Sequence, residues 1–273
     1  MTPAELFSIP HDRVVVTGAG SGIGRAVTCV LAEAGVSVYA FGRRVEALDE
    51  TVALTSQAPG RVTAVRCDVT DPDEVAAAFE CVERDGVATG LVNAAAQMVK
   101  SPARSMTAEM FQQVVASTLF GGFNVVHRWA QPLLDDDRSG AAVMITSNSA
   151  SRGTPGVSHS SAGKAGIESL TQSLAREWGP HGIRINAVGP GAFPVEKSRD
   201  AWSNPGVAAR MQEAIALGRF GELHEIVGPI VFFLTRGAGY ATGQRLRVDG
   251  GLGLTRWSLT ESDIESGINN SYS

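Results

Sequence analysis

Lysine is scarce in this chain of 273 residues: of its 23 basic side chains, only Lys100, Lys164 and Lys197 are lysines. A protein that carries its positive charge on arginine, yet places a lysine at 164 in the small-residue run SHSSAGKAG, points to a need for an amine there. Tyrosine is equally rare, confined to Tyr39, Tyr240 and Tyr272. The three cysteines, Cys29, Cys67 and Cys81, are odd in number and lack CxxC spacing. That argues against a disulfide framework and for a reducing, cytoplasmic setting. Positive charge is not in excess either. A net charge of −5 gives no electrostatic footing for nucleic acid. No apolar run approaches the roughly 18 residues of a membrane span, and the longest, 226–234, is broken by Gly228 and Pro229. The opening MTPAELFSIPHDR has neither the basic nor the apolar region of a secretory leader, so none is expected.

What is present is an alternation of short β-branched runs and helical periodicities. RVVVTG (13–18) reads as a buried strand, followed by a helix over 22–34 closed by Gly35. Further strands are predicted at 36–41, 61–69, 89–96, 141–147, 182–191 and 244–251. The helices between them are predicted at 45–57, after Thr70-Asp71-Pro72, at 107–134, at 158–178 and near 222–234. No repeat or linker interrupts the pattern. It implies one α/β domain over 1–253, a doubly wound, seven-stranded parallel Rossmann sheet flanked by helices, with a polar tail over 254–273.

TGAGSGIG (17–24) joins the first strand to the first helix. Gly18 suits a tight turn, Gly22 a close backbone approach to a pyrophosphate and Gly24 close helix packing. Ser21 and Ile23 lie in the same anion-facing turn. The spacing is GxxxGxG, and with CDV (67–69), LVNAAA (91–96), ITS (145–147), GKAGIESLTQSLAREWGPHGIRINAVGPG from 163 and VDGG (248–251) the chain resembles the short-chain dehydrogenase/reductases from Arg13 to Gly251. The end of the second strand has Gly42, Arg43 and Arg44 where an acidic residue would accept a ribose 2′-hydroxyl. Guanidinium groups there suit a 2′-phosphate, so NADP(H) is the expected cofactor. The resemblance further implies Asp68 and Val69 beside the adenine and Asn93 and Ala95 beside the ribose. It puts Pro190, Gly191 and Phe193 beside the nicotinamide, with Lys164 holding its ribose. It also implies a homotetramer or homodimer.

The family's catalytic set is Ser, Tyr and Lys with an Asn. Lys164 and Ser147 match, but the tyrosine position holds Ser160 and the asparagine position Thr118. A serine hydroxyl is a poor proton source near neutral pH, although it can donate a hydrogen bond. SRG (151–153), His159, NAAA and PGAFPVE (190–196) resemble the 2,4-dienoyl-CoA reductases, a branch that also departs from the usual tyrosine. There, charge collects on a thioester oxygen, and an oxyanion site of hydroxyl and ammonium suffices. The expected substrate is accordingly a small molecule, an enoyl or dienoyl thioester or a related activated alkene or ketone. Ser149 stands where the mitochondrial type keeps a tyrosine, and Thr118 where the peroxisomal type has an aspartate. His159 reads either as a proton donor or as a hydrogen-bonded residue at the helix start. Phe193, Trp202 and Met211 read as an apolar lid (about 192–217) or as core. HEIVG (224–228) lacks the second histidine of a zinc motif, so no metal is expected. Two other readings stand beside reduction. One is a non-redox isomerase, lyase or cyclase that keeps the dinucleotide pocket. The other is a silent subunit paired with an active paralogue.

Overall fold

Three consecutive valines, Val14, Val15 and Val16, are fully buried in the first strand, the signature of a parallel strand covered on both faces. A computed structural model describes residues 2–195 and 204–254. Trp202, Glu196, Tyr272 and the tail beyond Leu254 lie outside the described residues. The strands are β1 (Arg13–Thr17), β2 (Ser37–Gly42), β3 (Val62–Arg66), β4 (Gly90–Asn93), β5 (Gly140–Ile145), β6 (Ile183–Pro190) and β7 (Arg245–Val248). They form one sheet in the order β3-β2-β1-β4-β5-β6-β7, every pairing parallel.

Helices α1 (Pro3–Leu6), α2 (Gly22–Glu33), α3 (Val45–Leu54) and α4 (Pro72–Glu83) fall in the first half of the chain. They are followed by α5 (Ala108–Val115), α6 (Gly121–Asp135), α7 (Ser149–Arg152), α8 (Ser158–Trp178), α9 (Pro205–Ala214) and α10 (Leu223–Leu234). One core packs α4, α6 and α8 on one sheet face through Phe79, Trp129 and Ile167. The other packs α2, α3 and α10 on the opposite face through Leu31, Leu48 and Ile230. No helix among the described residues is long and apolar enough to cross a membrane. The chain runs outward through β1, β2 and β3, then returns to place β4 on the other side of β1. That reversal opens the crevice in which such sheets bind ligands, outside the carboxyl ends of their strands.

The seven-stranded doubly wound sheet is as expected, and the differences lie at element ends. The helix predicted over 107–134 is split by a π-helical turn, Ala116–Phe120, between α5 and α6. Gly121 and Gly122 follow it because a Cβ at either would lie 2.6 Å from a side chain, that of Val69 or Ile167. The strand predicted over 89–96 stops at Asn93. Thr17 Oγ1 accepts the amides of Ala94 and Ala95 at 3.0 and 2.9 Å and pulls them out of the ladder. The third strand stops at Arg66, and the Asp68 amide donates to Glu74 Oε2 at 2.8 Å. Helices α1 and α7, of four residues each, carry too few turns to show a period, and α9 buries none of its ten residues.

A candidate dinucleotide cleft and lysine site

At the end of β1 the chain turns under Gly18 and Gly22, whose φ angles are +68° and +54°. Side chains rarely accept this left-handed region. A Cβ on Gly24 would lie 2.4 Å from the Gly18 carbonyl oxygen, so the helix can fold back on the turn only with glycine there. Ser21 is the N-cap of α2 and makes no capping bond with its side chain, which leaves the hydroxyl available. The first-turn amides of α2, Ile23 included, have no partner within the helix. The Ile23 side chain turns inward against the core. Arg25 was not singled out by sequence reasoning, yet it clamps this turn. Its Nη2 donates to the Gly20 carbonyl at 2.6 Å and to Glu50 at 2.6 Å, tying the turn to α3.

An open cleft extends from this turn. Gly18 and Ser21 line one end, Arg43 and Arg44 the side, and Asp68, Val69 and Ala95 the floor. The sequence separates these residues by up to 77 positions, and the fold brings them to one cavity. Arg43 Nη1 lies 3.7 Å from Asp68 Oδ2. Burial alone would raise the Asp68 carboxyl. Hydrogen bonds from the Thr70 amide and hydroxyl, with the charges of Arg43 and Arg66, outweigh it and hold the group below its ordinary range. An ionised acceptor, two guanidiniums and a helix N-terminus in one cleft fit a phosphorylated nucleoside.

The Asn93 side chain is engaged within the protein. It is buried, accepts from Thr17 Oγ1 at 2.7 Å and donates to the Gly122 carbonyl at 3.1 Å. Its role is to fix the turn that presents Ala95. Thr17, which sequence reasoning missed because a buried threonine at a strand end has no distinctive spacing, holds that turn together. Replacing Thr17 with valine leaves two amides and the Asn93 oxygen without their partner. The expected outcome is a loss of about 2–4 kcal/mol in denaturant-measured stability, together with a raised KM for the dinucleotide.

The second half of the site lies across the ends of β5 and β6. Lys164, on α8, is 7% exposed and donates from Nζ to the Ile145 carbonyl at 2.5 Å. Burial pushes its amine down to about 8. Ser160 is also buried, one helical turn before it, so the two side chains share a face. Ser147 Oγ lies 3.0 Å from Ser149 Oγ and accepts the Ser149 amide at 3.2 Å. The Asn148 amide donates to the Pro190 carbonyl at 3.2 Å, which brings Pro190 and Gly191 against this loop. Gly191 is packed so tightly that a Cβ would lie 2.5 Å from Asp249.

Thr118 sits in the π turn against Gly163, where a Cβ would lie 3.1 Å from that of Thr118. Its Oγ1 is buried with no hydrogen-bond partner, as are both ring nitrogens of His159. His159 is wholly inaccessible, so any effect on substrate passes through other groups. Phe193 is buried in the core beneath Gly221, which accounts for it as packing and leaves only its backbone to offer the cleft. Met211 packs against a small cluster of Ala192, Ile215 and Leu252. No phenol enters the site among the described residues: the Tyr39 hydroxyl donates to Asp85, and Tyr240 is fully exposed.

Three comparisons bear on this geometry. The family model described as enoyl-(acyl carrier protein) reductase matches residues 18–253. Gluconate 5-dehydrogenase of Gluconobacter oxydans (strain 621H) is 30% identical over 92% of this chain and 98% of its own length. A Bacillus subtilis (strain 168) protein named probable 2,4-dienoyl-CoA reductase is 34% identical over 87% of this chain and 95% of its own. A solved structure from Agrobacterium tumefaciens with bound NADP, provisionally named a 2-deoxy-d-gluconate 3-dehydrogenase, is 31% identical. It superposes with a TM-score of 0.82 over 90% of this chain and 98% of that one.

Proposed function

The chain belongs to the short-chain dehydrogenase/reductase family, and from that membership we propose that it is an NADP(H)-dependent oxidoreductase acting on a conjugated enoyl or dienoyl thioester, or a related activated alkene or ketone. The observation that carries the reading is the pairing of two features. One is an open cleft at the glycine turn edged by Arg43 and Arg44. The other is a buried Lys164–Ser160 pair beside the end of β5, with no phenol beside it among the described residues.

Gly18, Ser21, Gly22 and the first-turn amides of Ile23 and Gly24 would hold the pyrophosphate. Arg43 and Arg44 would hold the 2′-phosphate, and Asp68 with Val69 the adenine. Ala95, Pro190, Gly191 and the Phe193 backbone would border the nicotinamide side. When bound, NADPH supplies a hydride. Reduction of a conjugated substrate would leave negative charge on its carbonyl oxygen, where this chain's own donors would meet it. An ammonium has three N–H donors. Lys164 gives one to Ile145 and keeps the others for ribose and oxyanion. Ser160 adds a hydroxyl donor, and Ser147 lies on the neighbouring loop. Neutral and cationic donors already in place stabilise the developing oxyanion without reorganisation. A proton then adds at carbon, delivered by water.

Absorbance at 340 nm tests this, with NADPH or NADH against a dienoyl-CoA, an enoyl-CoA and a β-ketoacyl thioester. Oxidation of NADPH with the alkenes supports the reading. Tight NADPH binding with silence across all three, and across a broad acyl panel, overturns it in favour of a non-redox enzyme or a silent subunit.

A further inference from the structure

A second concave site lies at the opposite end of strands β1 to β3 from the cofactor cleft. Arg13, Ser37 and Tyr39, with Arg61, Thr63 and Asp85, line it. Register explains how they converge. Arg13 pairs with Ser37, and Tyr39 with Thr63. Residues two apart on a strand point to the same face, so the first row is Arg13, Ser37 and Arg61 and the second includes Tyr39 and Thr63. Asp85 enters from the loop after α4. Arg13 and Arg61 sit two strands apart, about 10 Å at the backbone, a span that lets two long side chains close on one small ligand.

The charges at this site do not cancel. Among the described residues neither guanidinium has a hydrogen-bond or ion-pair partner. The single carboxylate, Asp85, accepts from the Tyr39 hydroxyl. Burial, and then the Asp85 contact, pushes that phenol up to about 12, so it remains a donor. Two cations and the hydroxyls of Ser37 and Thr63 therefore face one engaged anion, in a chain whose overall charge is −5. A water-filled cleft needs no such concentration of donors. Guanidinium forks match tetrahedral oxyanions in a way that a point charge does not.

We propose that the amino end of β1 to β3 binds a small phosphate-type dianion, at a site separate from the dinucleotide cleft and independent of the function proposed above. The two sites stand at opposite ends of β1, about 13 Å apart along the strand.

Because the dinucleotide cleft also attracts phosphate, the calorimetric titrations use full-length protein carrying Arg43→Ala and Arg44→Ala. The probes are inorganic phosphate, pyrophosphate and glycerol 3-phosphate at low ionic strength. Saturable binding of at least one is expected, weakened about tenfold or more by Arg13→Gln or by Arg61→Gln. Arg61 is exposed, so its replacement leaves the fold intact, and an unchanged unfolding midpoint verifies this. Tighter binding of the ester assigns the site to a phosphorylated metabolite, and equal or tighter binding of the inorganic anions assigns it to a free anion. Three outcomes would overturn the site: no saturable binding, the same affinity in both glutamine variants, or displacement by chloride at matched ionic strength.

Discussion

Replacing Lys164 with methionine is expected to lower turnover at saturating NADPH by about 10²–10³-fold, the loss typical of removing one preorganised donor to an oxyanion. Methionine keeps the length and fills the space of the lysine stem, so the change removes charge and donors with little repacking. The alternative role, in which the amine only positions ribose, gives a different signature: a raised KM for the cofactor with turnover retained. Steady-state kinetics on the purified variant separate the two.

The same residue ties activity and stability to pH in opposite directions. Burial holds the Lys164 amine at about 8 in the folded chain, against about 10.4 in an unfolded one. Below pH 8 both states are protonated, and the folded state carries the full penalty of a buried charge. Between about 8 and 10.4 the folded state has released its proton while the unfolded state keeps it, so stability rises by about 1.4 kcal/mol per pH unit. Wild type should therefore gain stability on the methionine variant across that window, by roughly 3 kcal/mol in total. Turnover that needs the ammonium should decline over the lower part of the same window. Parallel denaturation curves and a kcat profile check both. A flat kcat through pH 9 would remove Lys164 from the oxyanion role.

The sheet was legible because its strands are buried on both faces and spell themselves as β-branched runs between glycine turns, as RVVVTG does. The phosphate turn was legible because Gly18, Gly22 and Gly24 are each imposed by backbone geometry, which leaves a fixed spacing in the chain. What stayed hidden depends on side chains that meet only in three dimensions. Thr17 determines where β4 ends, and Arg25 locks the turn to α3, yet neither belongs to a periodic pattern. The π turn that aims Thr118 at α8 follows from the close approach of Gly121, Gly122 and Gly163 to neighbouring elements. A helical period cannot register that contact. Asn93 shows the converse: a recognisable residue in a recognisable motif, whose side chain is consumed in fastening β1 to β4 and α6.

Replacing Arg43 and Arg44 together with alanine should raise the KM for NADPH by about 10²-fold and leave that for NADH within a few fold. The magnitude follows from charge-assisted hydrogen bonds to a phosphate, worth about 1.5–3 kcal/mol each relative to none. The cost to the fold should be small. Arg43 pairs with Asp68 only at 3.7 Å and its side chain is 58% exposed, and exposed pairs of that kind contribute at most about 1 kcal/mol. Arg44 is the N-cap of α3 but makes no capping bond with its side chain, so alanine removes no hydrogen bond there. Adding Gly42→Asp would sharpen the contrast by placing a carboxylate where a 2′-phosphate must come. Its Cβ would lie 3.2 Å from Leu48 Cδ2 in the core, so the variant's unfolding midpoint is read alongside its binding. Stopped-flow binding of NADPH and NADH to the double and triple variants reads the outcome directly. An unchanged NADPH affinity in the double variant would mean that the two guanidiniums are solvated surface charges, and the NADP(H) preference would fall with them. A preference that inverts would place both at the 2′-phosphate, because NADH differs from NADPH at that group alone.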